Sequence, residues 1–387
     1  MLKPDERIIV CAKASDLSLF KGFLANLGYT NLECFSKNAD AYEYATRNNA
    51  EFFITGLEVD DGPGVVLLQK IRATGNYGLE THLFVGNEIH QAEIGLFYED
   101  DIHYVLKKPF TEDRFKQKLK FIADREANLP PIEAAIKQVH SSVYTKMYDM
   151  AEYMLQEAIK EHGSNDRFQT LLGEIALAKE DYTEAEKILT GVLNSDPNSM
   201  WANSLYAKLL MATNQKEEAK NILDQLAGSF PNHVNILENA GLTNYELGFI
   251  ELAEKQMKSL QNIDKSNKKA FEVSTKIKIN NGDISSCLKD LQETHSEKEI
   301  VSIMNTTGIE LAKKGDREGA NRVYHETLQV AKNTDYKAKL HYNIALNLHK
   351  MNDKEGCATH LQTALKLKPD YDKAATLLKE ISRSSVA

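Results

Sequence analysis

The side chains that could do chemistry are scattered along this 387-residue sequence and form no catalytic pattern. None of the 11 histidines pairs with another in the His-Glu-x-x-His spacing that metalloproteases need. The sequence also contains no glycine-rich phosphate loop and no Gly-x-Ser-x-Gly turn. The acidic segment DDGPG at 60–64 is interpreted as a turn before a helix. We therefore expect no enzyme activity, cofactor or metal, and an enzyme with unrecognised chemistry is the remote alternative.

Cysteine usage and charge limit the compartment and the partners. Cys11, Cys34, Cys287 and Cys357 form no Cys-x-x-Cys pair, and we expect free thiols in a reducing compartment. The net charge is −9 and no basic stripe is present, so nucleic acid is not an expected partner. The sequence shows no signal segment and no apolar run of membrane length. These features predict a cytoplasmic protein without membrane insertion.

Residues 1–128 alternate short apolar runs with helical stretches. The apolar runs are RIIVCA, LECF, FFITG, HLFVG and HYVLK. Helices are predicted between them, near 15–27, 39–48, 64–74, 89–98 and 111–126. This alternation predicts a parallel sheet with helices on both faces. At this length the expected fold is α/β, doubly wound and flavodoxin-like, with strand order 2-1-3-4-5.

Three segments of this region are similar to the receiver domain of bacterial response regulators. They are LANLGYTNLECFS, GVVLLQKIRA and the segment beginning Lys108-Pro109-Phe110, which a helix opening TEDRF follows. The resemblance covers about residues 5–128 and implies a place in two-component signalling. Working receivers transfer a phosphoryl group from a histidine kinase to an aspartate after the third strand. Acidic ligands after the first strand hold Mg²⁺, and a hydroxyl and a lysine contact the phosphate.

Most of the chemical groups that this resemblance implies are replaced. Cys11 and Ala12 stand where the acidic metal ligands belong, Gly56 stands at the phosphoacceptor and Gly86 at the hydroxyl. Only the lysine, Lys108, remains. Glycine cannot be a nucleophile, and a site without acidic ligands is not expected to hold Mg²⁺. The pattern predicts a pseudo-receiver, a domain of receiver fold without phosphotransfer.

A nearby acidic loop leaves one alternative open. Asp60 and Asp61 lie just past the third strand, together with Glu58, and a shifted alignment offers one of them as acceptor. On that hypothesis the chain is a phosphorylatable response regulator with a helical output region. The competing interpretation is a solvated acidic loop, which the replaced metal ligands favour.

A 34-residue period dominates the rest of the chain. Small residues recur at this interval, each followed four places later by a large apolar residue. The pairs are Ala151/Leu155, Ala185/Leu189, Ala219/Leu223, Ala253/Met257 and Cys287/Leu291. Gly173, Ala207 and Gly241 keep the same period, at positions where the first helix of a repeat must let the second approach closely. This pattern is typical of tetratricopeptide (TPR) repeats, which stack as helix pairs in an α-solenoid.

The repeat register predicts about seven helical pairs with a C-terminal capping helix, and a protein-binding groove lined by the first helix of each pair. The residues expected in the groove are Trp201, Ser204, Lys208, Asn235, Glu238, Tyr245, Asn305 and Tyr342. Packing between repeats is the alternative interpretation for Trp201. We expect two domains, a receiver-like domain over 1–128 and a TPR array over 129–387. The function that these features favour is a bacterial adaptor that binds a histidine kinase, a response regulator or another signalling protein.

Overall fold

The computed structural model describes residues 5–89, 93, 96–97 and 102–383. The chain begins with a parallel sheet of five strands in the order β2-β1-β3-β6-β7. A two-residue antiparallel pair, β4 with β5, lies between the third and fourth strands of the sheet in sequence, so the parallel strands follow the predicted order 2-1-3-4-5. The strands are β1 Ile8–Cys11, β2 Leu32–Phe35, β3 Phe52–Gly56, β4 Glu58–Val59, β5 Gly62–Pro63, β6 Thr81–Gly86 and β7 Tyr104–Lys107.

Helices cover both faces of this sheet because its central strands are apolar on both sides. In β1, Ile8 and Val10 face one core with Phe20, whereas Ile9 and Cys11 face a second core on the other side. The helices of this region are α1 Ala14–Asn26, α2 Asn38–Ala45, α3 Val65–Ala73 and α4 Glu112–Glu126. The helix that we predicted near 89–98 falls largely outside the described residues.

From residue 131 onward, the described part of the chain contains helices and no strand. The helices form seven successive pairs and a closing helix, as the repeat register predicts. They are α5 Pro131–Tyr144, α6 Tyr148–His162, α7 Asp166–Ala178, α8 Tyr182–Ser195, α9 Met200–Ala212, α10 Lys216–Ser229, α11 Val234–Glu246, α12 Ile250–Ile263, α13 Lys268–Asn280, α14 Ile284–Thr294, α15 Glu297–Lys313, α16 Arg317–Val330, α17 Thr334–Lys350, α18 Lys354–Leu367 and α19 Asp372–Arg383.

The periodic small and large residues form the core of this array. The four alanines of the period are fully buried, and Cys287 is 1 % exposed. The glycines of the period mark close helix approach, since a Cβ added at Gly173 would lie 2.7 Å from Leu189, and one at Gly241 would lie 2.1 Å from Met257. A side chain at Gly173 would also meet the branch point of Leu189, at 2.9 Å, and would push the two helices apart, whereas a side chain at Gly241 would first displace the flexible end of Met257.

The chain divides into two compact units, Met1–Asn267 and Lys268–Ala387. The first unit contains the sheet region together with helices α5 to α12, and the second contains helices α13 to α19. The predicted boundary between 128 and 129 lies inside the first unit and stays a prediction about domain organisation.

Candidate functional site

The carboxyl ends of the parallel strands bring the five receiver-like positions together at one edge of the sheet. Cys11 ends β1 and Ala12 follows it, Gly56 ends β3, and Gly86 ends β6. Lys108 comes directly after β7, and its backbone N–H donates to the Gly86 carbonyl oxygen at 2.8 Å. This edge is where open α/β sheets place their ligand sites.

The backbone closes this edge at the position where an acceptor side chain would stand. A Cβ added at Gly56 would lie 2.8 Å from the Glu58 carbonyl oxygen and 3.5 Å from the Ala12 Cα. A Cβ added at Gly86 would lie 2.4 Å from the Leu57 Cδ1. Leu57 is 7 % exposed, so its apolar side chain fills the space beside the end of β6. Neither position has room for a carboxylate or a hydroxyl without backbone or core rearrangement.

The lysine at this edge, Lys108, is paired with an aspartate of the same region. The Lys108 Nζ lies 2.5 Å from the Asp16 Oδ2, and both side chains are about one quarter exposed. Burial raises the pKa of the Cys11 thiol, and the carboxylates of Asp61, Asp40 and Asp60 raise it further. The thiol is therefore neutral at pH 7, and the charge around it is negative.

The two alternative acceptors lie at helix N-termini and accept backbone hydrogen bonds. Asp61 accepts from the Asn38 N–H at 2.7 Å and from the Ala39 N–H at 3.1 Å, which are the first two residues of α2. Asp60 accepts from the Ala14 N–H, the first residue of α1, at 3.4 Å. Carboxylates satisfy otherwise unpaired N–H groups at such ends and interact favourably with the helix dipole. Both aspartates therefore have a structural role in joining the loop to the helices.

The predicted groove residues differ in how accessible they are. Trp201 and Ser204 are packed inside the first unit, at 6 % and 5 % exposure. Lys208 and Asn235 are exposed, and Glu238, Tyr245, Asn305 and Tyr342 are half-buried. The open part of the predicted groove therefore excludes Trp201 and Ser204 in this conformation.

The side chain of Trp201 ends a stack of rings that reaches the sheet region. Trp201 stacks on His140 with ring centroids 4.8 Å apart, and His140 stacks on Tyr144 at 4.7 Å. The Arg72 guanidinium carbon lies 5.1 Å from the centroid of the Tyr144 ring. Arg72 belongs to α3, so a cation–π contact links this helix of the sheet region to the first helix of the array.

Gln69, also on α3, binds the backbone of the array at two points. Its Oε1 accepts from the Val234 N–H at 2.8 Å, and its Nε2 donates to the Asn232 carbonyl oxygen at 3.2 Å. Val234 is the first residue of α11. The first N–H groups of a helix have no partner within the helix, and Gln69 supplies one from another part of the chain.

A partly buried ion pair extends the same contact. The Lys70 Nζ lies 3.1 Å from the Asp264 Oδ1 and 2.7 Å from the Ser266 Oγ. The two charged side chains are 19 % and 6 % exposed. Sequence reasoning did not find this docking surface. The sequence feature that indicates this docking surface is the run VVLL in α3. It gives the helix apolar residues on all sides, which indicates that other parts of the chain pack on more than one face of the helix.

In the second unit, helices α13 and α15, each the first of its pair, line an open cavity of about 310 Å³. The side chains around it are Lys268, Glu272, Lys276, His295, Glu299, Ser302, Ile303, Thr306 and Thr307. Lys276 lies 3.0 Å from Glu272 and 2.9 Å from Glu310, so its charge is paired across the two helices. Sequence reasoning placed Asn305 of α15 in the groove but missed the residues of this cavity.

The charges that line the cavity are stabilised in their ionised forms. Burial lowers the pKa of Lys276, but hydrogen bonds to Glu310 and Glu272 outweigh it and raise the pKa overall. Burial alone would raise the pKa of Glu272, yet its hydrogen bond from Lys276 and the nearby lysines lower it. Lys276 and Glu272 are therefore charged at neutral pH, beside the apolar side chain of Ile303.

Comparison with known families confirms the repeats. Family profiles described as tetratricopeptide repeat match residues 145–203 and 176–238, and another matches residues 338–371. No curated protein matches the chain significantly. No helix of the described residues is long and apolar enough to cross a membrane.

The chain is also similar to several solved structures, at low identity. A tetratricopeptide repeat protein from Parabacteroides merdae is 17 % identical with a TM-score of 0.41, covering 65 % of this chain and 99 % of that protein. YrrB, described as a TPR protein with an unusual peptide-binding site, is 12 % identical with a TM-score of 0.35, covering 58 % and 97 %. MamA from Desulfovibrio magneticus is 15 % identical with a TM-score of 0.37, covering 42 % and 93 %.

Proposed function

We propose that this chain is a non-catalytic adaptor of bacterial two-component signalling. Its receiver-like region does not take up phosphate, and its TPR array binds a protein partner. The observation that carries the proposal is the closure at Gly56, where backbone atoms occupy the space that an acceptor side chain would need. Tetratricopeptide repeats themselves indicate a protein-interaction adaptor.

The place in two-component signalling rests on the receiver-like features of the first 128 residues. The order of the parallel strands and the Lys108-Pro109-Phe110 segment after the last strand both fit that resemblance. Free thiols at all four cysteines fit a reducing compartment, and we propose the cytoplasm. In this role the receiver-like region competes with a true receiver for the histidine kinase, or it presents a true receiver to that kinase.

The docking of α3 supports a fixed scaffold in which the sheet region and the first repeats act together. Three side chains of α3 contact separate parts of the array. Arg72 contacts α5, Gln69 binds the start of α11, and Lys70 binds the segment after α12. A phosphorylation-driven switch needs a region that can change its contacts. The contacts of α3 instead bury polar groups that are paired across the contact, so that removing one partner leaves the other unsatisfied.

The phosphotransfer part of the proposal is tested with acetyl phosphate and Mg²⁺, followed by intact mass measurement of the full chain. We expect no added phosphoryl group. The variants Asp60→Asn and Asp61→Asn identify the rival, because each keeps side-chain size and an oxygen acceptor for the helix N-terminus. A mass increase in the wild-type chain that either variant abolishes would favour a phosphorylatable response regulator.

The partner-binding part is tested with a photo-crosslinking residue placed in the second unit. At Ser302, an exposed position beside the cavity, it should capture a protein partner in cells of the source organism. At Ser285, an exposed position on the second helix of the preceding pair, it should not. The added change Thr306→Arg should abolish capture from position 302. Equal capture from both positions, or capture that survives Thr306→Arg, would contradict binding in this groove.

A further inference from the structure

Three histidines that are far apart in the sequence come together in the second unit. His325 lies on α16, His341 on α17 and His360 on α18. The ring centroids of His341 and His360 are 5.1 Å apart, and those of His325 and His360 are 5.5 Å apart. His325 is exposed and the other two are half-buried, so solvent reaches the cluster. Neither the repeat packing nor the proposed adaptor function requires these rings.

The distance between the two closest ring nitrogens matches a pair of ligands on one metal ion. The Nδ1 atoms of His341 and His360 are 2.9 Å apart. Imidazole nitrogens bind divalent transition metal ions at about 2.0–2.1 Å, so two of them at the right angle that Cu²⁺ and Ni²⁺ prefer lie about 2.9 Å apart. The tetrahedral angle of Zn²⁺ requires a separation of about 3.3 Å. Without metal, one ring donates its N–H to the other. With metal, small rotations about the two Cβ–Cγ bonds, which are soft torsions, turn both lone pairs toward one point.

We propose that His341 and His360 form a surface site for a divalent transition metal ion of the imidazole-binding class, Zn²⁺, Ni²⁺ or Cu²⁺. Among the described residues, no three histidine, cysteine, aspartate and glutamate side chains converge on one point for a metal. The site therefore has two protein ligands, and water fills the remaining positions. Such an ion would fasten α17 to α18, the two helices of the last repeat pair. Harder ions that prefer oxygen ligands, such as Mg²⁺, do not suit this ligand set.

The test is calorimetric titration of the untagged full chain with ZnCl₂ and NiCl₂ at neutral pH. We expect one saturable equivalent, and His341→Asn and His360→Asn should each weaken the affinity roughly tenfold or more. His349→Asn is the matched control, because His349 is an exposed histidine on the same helix, α17. Circular dichroism checks that each variant keeps its helix content. Absence of saturable binding, or equal affinity in His341→Asn and His349→Asn, would overturn the proposal.

A spectroscopic measurement on the unaltered chain keeps the proposal falsifiable if a variant does not fold. With one equivalent of Cu²⁺, electron paramagnetic resonance should show hyperfine structure from two imidazole nitrogens. MgCl₂ at the same concentration should give no heat in the titration. A Cu²⁺ spectrum with one imidazole nitrogen or none would show that the two rings do not share an ion.

Discussion

Replacing Gln69 by leucine should release the sheet region from the array and destabilise the first unit. The side chain is 9 % exposed, and its Oε1 accepts the Val234 N–H at 2.8 Å. Leucine has a similar volume but no acceptor, so it would leave the first N–H of α11 buried and unpaired. An unsatisfied buried donor costs about 1–3 kcal/mol. The Asn232 carbonyl oxygen would also lose its bond to Gln69, but its residue is half-buried, so water can replace that bond. We expect Gln69→Leu to lower the free energy of unfolding of this unit by about 2 kcal/mol.

The measurement is urea denaturation followed by tryptophan fluorescence. Trp201 is the only tryptophan of the chain and belongs to the first unit, so the signal reports on that unit alone. The matched control is Gln169→Leu, because Gln169 makes its hydrogen bond to Ser164 on the exposed surface of the array. We expect that change to stay within about 0.5 kcal/mol of wild type. Equal midpoints for the two variants would refute the reasoning that Gln69 holds α3 to the array.

Two other predictions concern the second unit and the helix contacts. Gly308→Ala should destabilise the second unit by about 1–2 kcal/mol, because the new Cβ would lie 2.3 Å from the buried Tyr324 ring. Gly191→Ala should instead stabilise its helix by about 0.5–1 kcal/mol, because the added Cβ meets no atom within 4 Å. Thermal melts of both variants by circular dichroism check this, and a stabilised Gly308→Ala would contradict it. Glu299 has its pKa lowered to about 2 by hydrogen bonds from Ser296 and by Lys268, so its contribution is present above its ordinary pKa and is lost as the pH falls toward 2. The difference in melting temperature between wild type and Glu299→Gln should therefore shrink steadily between about pH 5 and about pH 2, and a constant difference would contradict this origin.

Local sequence patterns predicted the repeats and the sheet well because their causes lie within one element or between neighbours. The 34-residue spacing reports the contact between adjacent helices, so Ala151 and its equivalents had to be buried and Gly173 had to face the next helix. The apolar runs of the strands report cover on both sides, which the doubly wound order provides for a sheet of five parallel strands. In both cases the pattern and the contact involve residues that are close in the chain or repeated along it.

Contacts between distant segments carry no such pattern. The Gln69 side chain binds the backbone near Val234, and a backbone N–H leaves no mark on the sequence. The histidines at 325, 341 and 360 have no metal-ligand spacing, and only the stacking of three helices brings them together. The burial of Trp201 depends on His140 and Tyr144 of α5, which the repeat register alone does not place beside it. For such sites the residue types are visible in the sequence, but their neighbours are not.

The closed sheet edge and the docked helix act in the same direction. In a receiver that transfers phosphate, the edge of the sheet must accept charge and some surface must then change its contacts. Here Gly56 leaves no acceptor at the edge, and α3 is held by Gln69 and by the ion pair of Lys70 with Asp264, whose carboxylate is 6 % exposed. Removing either partner of that pair would leave the other charge buried and unpaired, which commonly costs about 3–5 kcal/mol. On the proposed function, a region that does not take up phosphate needs no surface that changes its contacts, so the fixed contact of α3 and the closed sheet edge are consistent with one another.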